Sequence, residues 1–103
     1  MGFNVLIKSL AFVDLQNAID WYEIQSTGLG KRFYKEFENC ISRIENNPHH
    51  YRVYHKNVRR ILFNKFPYKI FYSLNEQTVI VLGIYHGKRS KSFVNRRMNL
   101  INE

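Results

Sequence analysis

Tyr68-Lys69-Ile70-Phe71-Tyr72-Ser73-Leu74 and Thr78-Val79-Ile80-Val81-Leu82-Gly83-Ile84-Tyr85-His86, parted by Asn75-Glu76-Gln77, decide the fold. Both runs are dense in β-branched and aromatic residues and are bounded by turn formers, which reads as strands. The break between them is too short for a crossover, so the pair is an antiparallel hairpin. Val58–Phe63 precedes them and joins through a turn at Phe66-Pro67, adding a third strand. Thr78–His86 is apolar on both faces, which predicts a central strand covered on one side by helices.

Upstream the period changes. Phe3, Val5 and Ile7 alternate with Asn4, Leu6 and Lys8, a short first strand. Ser9 is read as a helix N-cap. Ala11, Leu15, Ala18 and Tyr22, with Phe12 and Ile19 beside them, recur at helical spacing. Asp14 is placed early in that helix, near the positive end of its dipole, and Gly28 is read as its end. Phe33, Phe37, Cys40, Ile41 and Ile44 form the apolar stripe of a second helix, stopped at Asn47 before Pro48. The segment after Pro48, with His49, His50 and His55, reads as a polar loop rather than a metal cluster. The tail from Lys91 to Ile101, with Phe93, Met98 and Leu100 among basic residues, is either a short helix or a mobile extension. The expected class is α+β in the order β-α-α-β-β-β, a helical hairpin packed on a small antiparallel sheet.

A chain of 103 residues is expected to be one domain spanning 1–103. At 45% hydrophobic and 16% aromatic it is too apolar to be disordered. No apolar run approaches the roughly 20 residues of a membrane helix, and no secretory leader is visible, so a cytoplasmic protein without membrane partners is expected. The single cysteine, Cys40, excludes an internal disulfide framework and a cysteine-based zinc site; its place in the helical stripe predicts an inert buried thiol. No cofactor or metal is expected. The net charge of +8 is unevenly spread: residues 1–50 hold five Lys/Arg against six Asp/Glu, whereas residues 51–103 hold eleven against Glu76 and Glu103 alone. Such asymmetry points to a polyanionic partner.

Side chains alternate along strands, so register decides which cations share a face. If both hairpin loops hold an even number of residues, Arg60, Lys69 and His86 fall on one face, with Arg89 just beyond the strand end. These four are the candidate site. Arg60 has a competing reading as a solvated arginine or one paired with Glu38 or Glu45, and His86 one as a hydrogen-bonded strand-end histidine. Trp21 and Tyr22 are read as core and interhelix packing.

Ala18-Ile19-Asp20-Trp21-Tyr22-Glu23, Gly28-Leu29-Gly30-Lys31-Arg32-Phe33, Asn47-Pro48, Val58-Arg59-Arg60-Ile61-Leu62, Phe66-Pro67-Tyr68-Lys69-Ile70-Phe71-Tyr72 and Val81-Leu82-Gly83-Ile84-Tyr85-His86-Gly87-Lys88-Arg89, in that order and spacing, resemble toxins of the RelE/ParE superfamily, the toxic half of type II toxin–antitoxin systems. The resemblance implies a cognate antitoxin whose acidic, amphipathic segment folds on the toxin, and one of two targets. RelE-like members cut messenger RNA in the ribosomal A site; ParE-like members poison DNA gyrase. For the first activity Arg60 matches the second-strand position, Lys69 the third-strand position as lysine for arginine, losing the bidentate fork, and Arg89 the position after the last strand. A second lysine would fall near Leu62 and a C-terminal tyrosine near Asn95, so this chain departs from that pattern at both. His86 could exchange a proton near neutral pH. His86-Gly87-Lys88-Arg89 and the Phe66–Tyr72 run are closer to ParE-like sequences, so the expectation is a ParE-like growth inhibitor, with an RNase or an inactive antitoxin-binding scaffold as the alternatives.

Overall fold

The structure, a computed structural model, describes residues 3–101; the side chains of Leu100 and Ile101 lie outside the description, so the expectation for Leu100 is not tested. The elements run β1 (Asn4–Ile7), α1 (Ser9–Gln25), α2 (Leu29–Asn46), β2 (Arg52–His55), β3 (Val58–Leu62), β4 (Tyr68–Asn75), β5 (Thr78–His86) and α3 (Lys91–Ile101). The α+β class and the helical hairpin are as expected, and the tail is a helix. Two features differ. Arg52–His55, read as loop, is a strand paired antiparallel with β3. The sheet is mixed, because β1 lies parallel to β5 in the order β1-β5-β4-β3-β2. Short connections dictate antiparallel pairing only between consecutive strands; β1 and β5 are far apart in sequence and are free of that constraint.

The helical hairpin covers one face. Ala11, Leu15, Ala18, Phe33, Phe37, Cys40 and Ile44 meet Ile61, Ile70, Tyr72, Val79 and Val81 in the larger core cluster. Phe33, fully buried, stacks on Tyr22 (5.2 Å) and Phe63 (4.8 Å) and meets Phe66 and Tyr68 edge-on. Such pairs each add about 0.5–1.5 kcal/mol beyond burial. The Tyr72 hydroxyl donates to the Pro48 carbonyl at 2.6 Å, tying the sheet to the segment that ends α2.

Three local expectations at α1 are corrected. Lys8, not Ser9, is the N-cap, and no side chain caps this helix. The helix ends at Gln25; Gly28 instead caps the start of α2 at φ +89°, a left-handed backbone that glycine adopts freely. Its N–H and that of Gly30 donate to the Glu23 carboxylate at 3.0–3.1 Å, so α1 satisfies the free amides of α2. Asp14 lies beyond the first turn and has another partner, described below.

On the opposite face α3 packs Val94 and Met98 against Val58, Phe71, Leu82 and Tyr85, a second and smaller cluster. β5 is therefore covered by helices on both sides, which explains its apolar character better than cover on one side. Among the described residues no helix is long and apolar enough to cross a membrane.

Candidate functional site: a basic cleft beside the last helix

The part of the α3 face that α3 leaves open is a cleft of about 320 Å³. Its cations come from five places: Arg52 on β2, Arg60 on β3, Lys69 on β4, Arg89 after β5 and Lys91 at the start of α3; Tyr54, Phe71 and Tyr85 supply aromatic wall, and among the described residues no Asp or Glu lines it. Arg52 and Arg60 are direct cross-strand partners. Like charges so placed disfavour the sheet, and a bound anion would relieve them. Arg60 pairs with neither Glu38 nor Glu45; the ion pair among the described residues is Arg97–Asp14. The Arg89 guanidinium lies over the Phe93 ring, 4.5 Å from its centroid.

The expected alternation holds for Arg60 and Lys69 and fails for His86. Arg60 is opposite Phe71 and Lys69 opposite Tyr85, all on the cleft face. The β4–β5 turn holds two residues, as the even-loop condition required. The alternation is broken further along. Phe71 pairs with Gly83 but Tyr72 pairs with Val81, leaving Leu82 as an extra, unopposed residue. This bulge changes the parity of β5. Before it, Val79 and Val81 face the hairpin; after it, Ile84 does, while Tyr85 faces the cleft. His86 reaches the cleft rim, yet its ring lies edge-on to Tyr68 at 5.3 Å, on the hairpin side. Its Nδ1 accepts the Lys88 backbone N–H at 3.0 Å, the strand-end role. Gly83 is needed at the bulge for space: a Cβ there would overlap the Tyr85 phenol.

Leu62 stands opposite Lys69 and is exposed, so the position is apolar surface. Asn95 Oδ1 accepts from the Tyr54 hydroxyl at 3.0 Å and ties α3 to β2. Among the described residues the buried Tyr85 hydroxyl has no partner, and burial pushes it up to about 12, out of reach as a base near neutral pH. Behind it, Arg97 Nη2 donates to both Asp14 oxygens at 2.9 and 3.0 Å, and Asp14 also accepts the Ile84 N–H at 3.2 Å. Burial raises the Asp14 carboxyl, against the lowering by the Ile84 bond and Arg97. This carboxylate fastens α1, β5 and α3 together. Cys40 is buried, receives Arg43 Nη2 at 3.2 Å and is raised by burial, as an inert thiol should be.

The profile of the ParE toxins of type II toxin–antitoxin systems, parDE, matches residues 5–91. The chain belongs to the ParE toxin family. Its fold is similar to that of a chromosomal ParDE toxin–antitoxin system from P. aeruginosa (TM-score 0.66, 12% identity, 82% of this chain and 95% of that one). It is also similar to an E. coli RelE toxin mutant in the free state (0.65, 10%, 93% and 98%) and to the isolated E. coli RelE toxin (0.62, 12%, 95% and 98%). At these identities the solved structures speak for the fold alone. No curated protein sequence matches the chain.

The structure brings all four expected residues of this ParE-family toxin, Arg60, Lys69, His86 and Arg89, to one cleft, His86 only at its rim with its ring against Tyr68. It adds Arg52, Tyr54 and Lys91. The first two were hidden by reading Arg52–His55 as loop, although Arg52-Val53-Tyr54-His55 before Lys56-Asn57 is a short strand pattern ahead of a two-residue turn. Trp21, expected in the core, is instead 55% exposed, while Tyr22 packs in the aromatic core.

Proposed function

We propose that this chain is the growth-inhibiting toxin of a type II pair, working in the cytoplasm, that it acts on DNA gyrase by binding rather than by cutting, and that an antitoxin with an acidic, amphipathic segment neutralises it. The observation that carries this reading is the Arg52–Arg60 pair in a cleft without carboxylates. Two cations held side by side favour an anionic partner, and the groups that carry protons are set back from them: His86 reaches the cleft only at its rim with its ring against Tyr68, Leu62 is apolar, and burial pushes Tyr85 up to about 12. Cleavage of RNA needs the 2′-OH deprotonated as well as the phosphate charge stabilised; the five cations of the cleft serve the second requirement directly.

Cleavage of messenger RNA at the ribosome is the second reading, and the convergence of Arg60, Lys69 and Arg89 favours it. Induced expression separates the two. Gyrase poisoning induces the DNA-damage response while translation continues; mRNA cleavage stops amino-acid incorporation at once. Incorporation that halts first would overturn the gyrase reading. Full growth with folded protein present would leave the antitoxin-binding scaffold. Loss of toxicity in Arg60→Ala and Arg89→Ala, with the fold retained, is expected if the cleft carries the action.

A further inference from the structure

Arg89 borders a second hollow as well as the basic cleft. β1 pairs with β5 only as far as Val81, so the edge of β5 beyond it is left to the helices. Asp14 from α1 takes the Ile84 N–H there, and Arg97 from α3 closes on Asp14. Between these helices lies a hollow of about 400 Å³, within the roughly 300–1,000 Å³ of small-ligand sites. Asn17 and Trp21 line it from α1, Tyr68 and His86 from the sheet and Phe93 from α3. An adjoining hollow shares Trp21, Tyr68, His86 and Arg89 and adds Lys88, so the two form one groove. Trp21 meets Tyr22 edge-on at 5.0 Å, which holds the indole, yet the residue is 55% exposed. Core packing does not account for an indole on this side of α1.

We propose that this groove is a nucleobase subsite that continues the basic cleft: a base lies against the Trp21 indole, and Arg89 holds the phosphate between base and cleft. Exposed rings set beside cations are the combination that holds nucleotides, because every base has a face to stack and every phosphate a charge to neutralise. Arg89 lines both spaces, so a phosphate on it lies at their junction. The carboxylate in the hollow does not oppose this. Asp14 is engaged by Arg97 at 2.9 and 3.0 Å and by the Ile84 N–H, so its charge is met inside the chain. The Asn17 amide, which can donate and accept, suits the edge of a base. A purely apolar ligand would strip water from Asn17, Lys88 and Arg89 without replacing it. An acidic peptide would match the cations and leave the rings unused. Such binding involves no cutting and stands whether the toxin acts on gyrase or at the ribosome.

Trp21 is the chain's one tryptophan, so its emission reports stacking directly. The probe is a labelled strand of about eight deoxyadenosines, a length that such sites cover, titrated into the full chain. Deoxyribose carries no 2′-OH, so binding is read without cleavage. The controls are an abasic strand with the same phosphates and a glutamate peptide of equal charge. The expected result is saturable quenching of Trp21 by the deoxyadenosine strand, with the abasic strand bound at least about tenfold more weakly. By anisotropy of the label, Trp21→Ala should weaken the base-bearing strand about tenfold and leave the abasic strand unchanged, while Trp21→Phe keeps most of the affinity. Arg89→Ala should weaken both strands alike. Thermal unfolding within a few degrees of the parent confirms that the variants fold. Equal affinity for the two strands overturns the inference, as does Trp21→Ala binding at parental strength. Quenching by the glutamate peptide as strong as by the strand also overturns it, and so does the absence of any saturable quenching. Adenosine monophosphate separates two sources of the same chemistry: saturation at the strand's affinity makes the ligand a free nucleotide, whereas much weaker binding makes it a strand.

Discussion

On the hairpin side of the sheet, Ile61, Ile70, Tyr72 and Val81 lie under two long helices, and the Tyr72 hydroxyl is satisfied by Pro48. On the other side, Val58, Phe71, Leu82 and Tyr85 share one short helix with a row of cations, and the Tyr85 hydroxyl has no partner among the described residues. The two tyrosines are nearly equally buried, so burial alone does not separate the faces. What separates them is whether each polar group finds its complement inside the chain. The hairpin face is closed in that sense, while the cleft face keeps unpaired charge for something outside. A stability map and a binding map of this protein should therefore barely overlap.

The largest effect should come from Phe33→Ala. It empties the centre of the aromatic cluster, and urea unfolding should show a loss of about 4 kcal/mol. Asp14→Ala, next, strands the Arg97 guanidinium and should cost about 3 kcal/mol. Arg97→Leu added to it should recover most of that loss, and a cycle that shows simple additivity would mean that the pair does not hold α3. Tyr72→Phe leaves the Pro48 carbonyl unmet and should cost about 1–2 kcal/mol, whereas Tyr85→Phe should cost less than about 0.5 kcal/mol.

The tyrosines also give a pH test. Burial raises both phenols to about 12 from 10, so each favours the folded state fully below pH 10 and loses that contribution as pH rises from 10 towards 12. Above pH 10, Tyr85→Phe should therefore become more stable than the parent in alkaline unfolding. The smallest stability effect belongs to Arg60→Ala, within about 0.5 kcal/mol or slightly favourable, since it removes a like-charge pair. The same change should lower the salt concentration at which the protein leaves heparin. If it unfolds the protein instead, the contrast between the faces is wrong.

Much of this was legible in the chain. The stripe Phe33, Phe37, Cys40, Ile44 and the alternation of β3 and β4 come from periodicities that packing obeys directly. The meeting of Arg60 with Lys69 followed from loop parity, a local quantity. What escaped depended on partners distant in sequence. β1 joins β5 across the whole chain, and Asp14 finds Arg97 on an element that reads equally well as a tail. Trp21 lies to one side of the Ala11, Leu15, Ala18 face that meets the sheet, and so is exposed. The position of His86 escaped because the extra residue at Leu82 leaves no mark in an uninterrupted apolar strand.

That extra residue has an evolutionary consequence. Deleting one codon between Val81 and Ile84 would restore strict alternation and leave Tyr85 in the cleft and His86 on the hairpin side, because the lost residue and the lost bulge each reverse the parity and cancel. The cations would stay where they are, since Arg60 and Lys69 lie on strands outside the bulge. The bulge is therefore a buffer of length: β5 can lose that residue in descent without exchanging the side chains that its two ends present to the core and to the cleft.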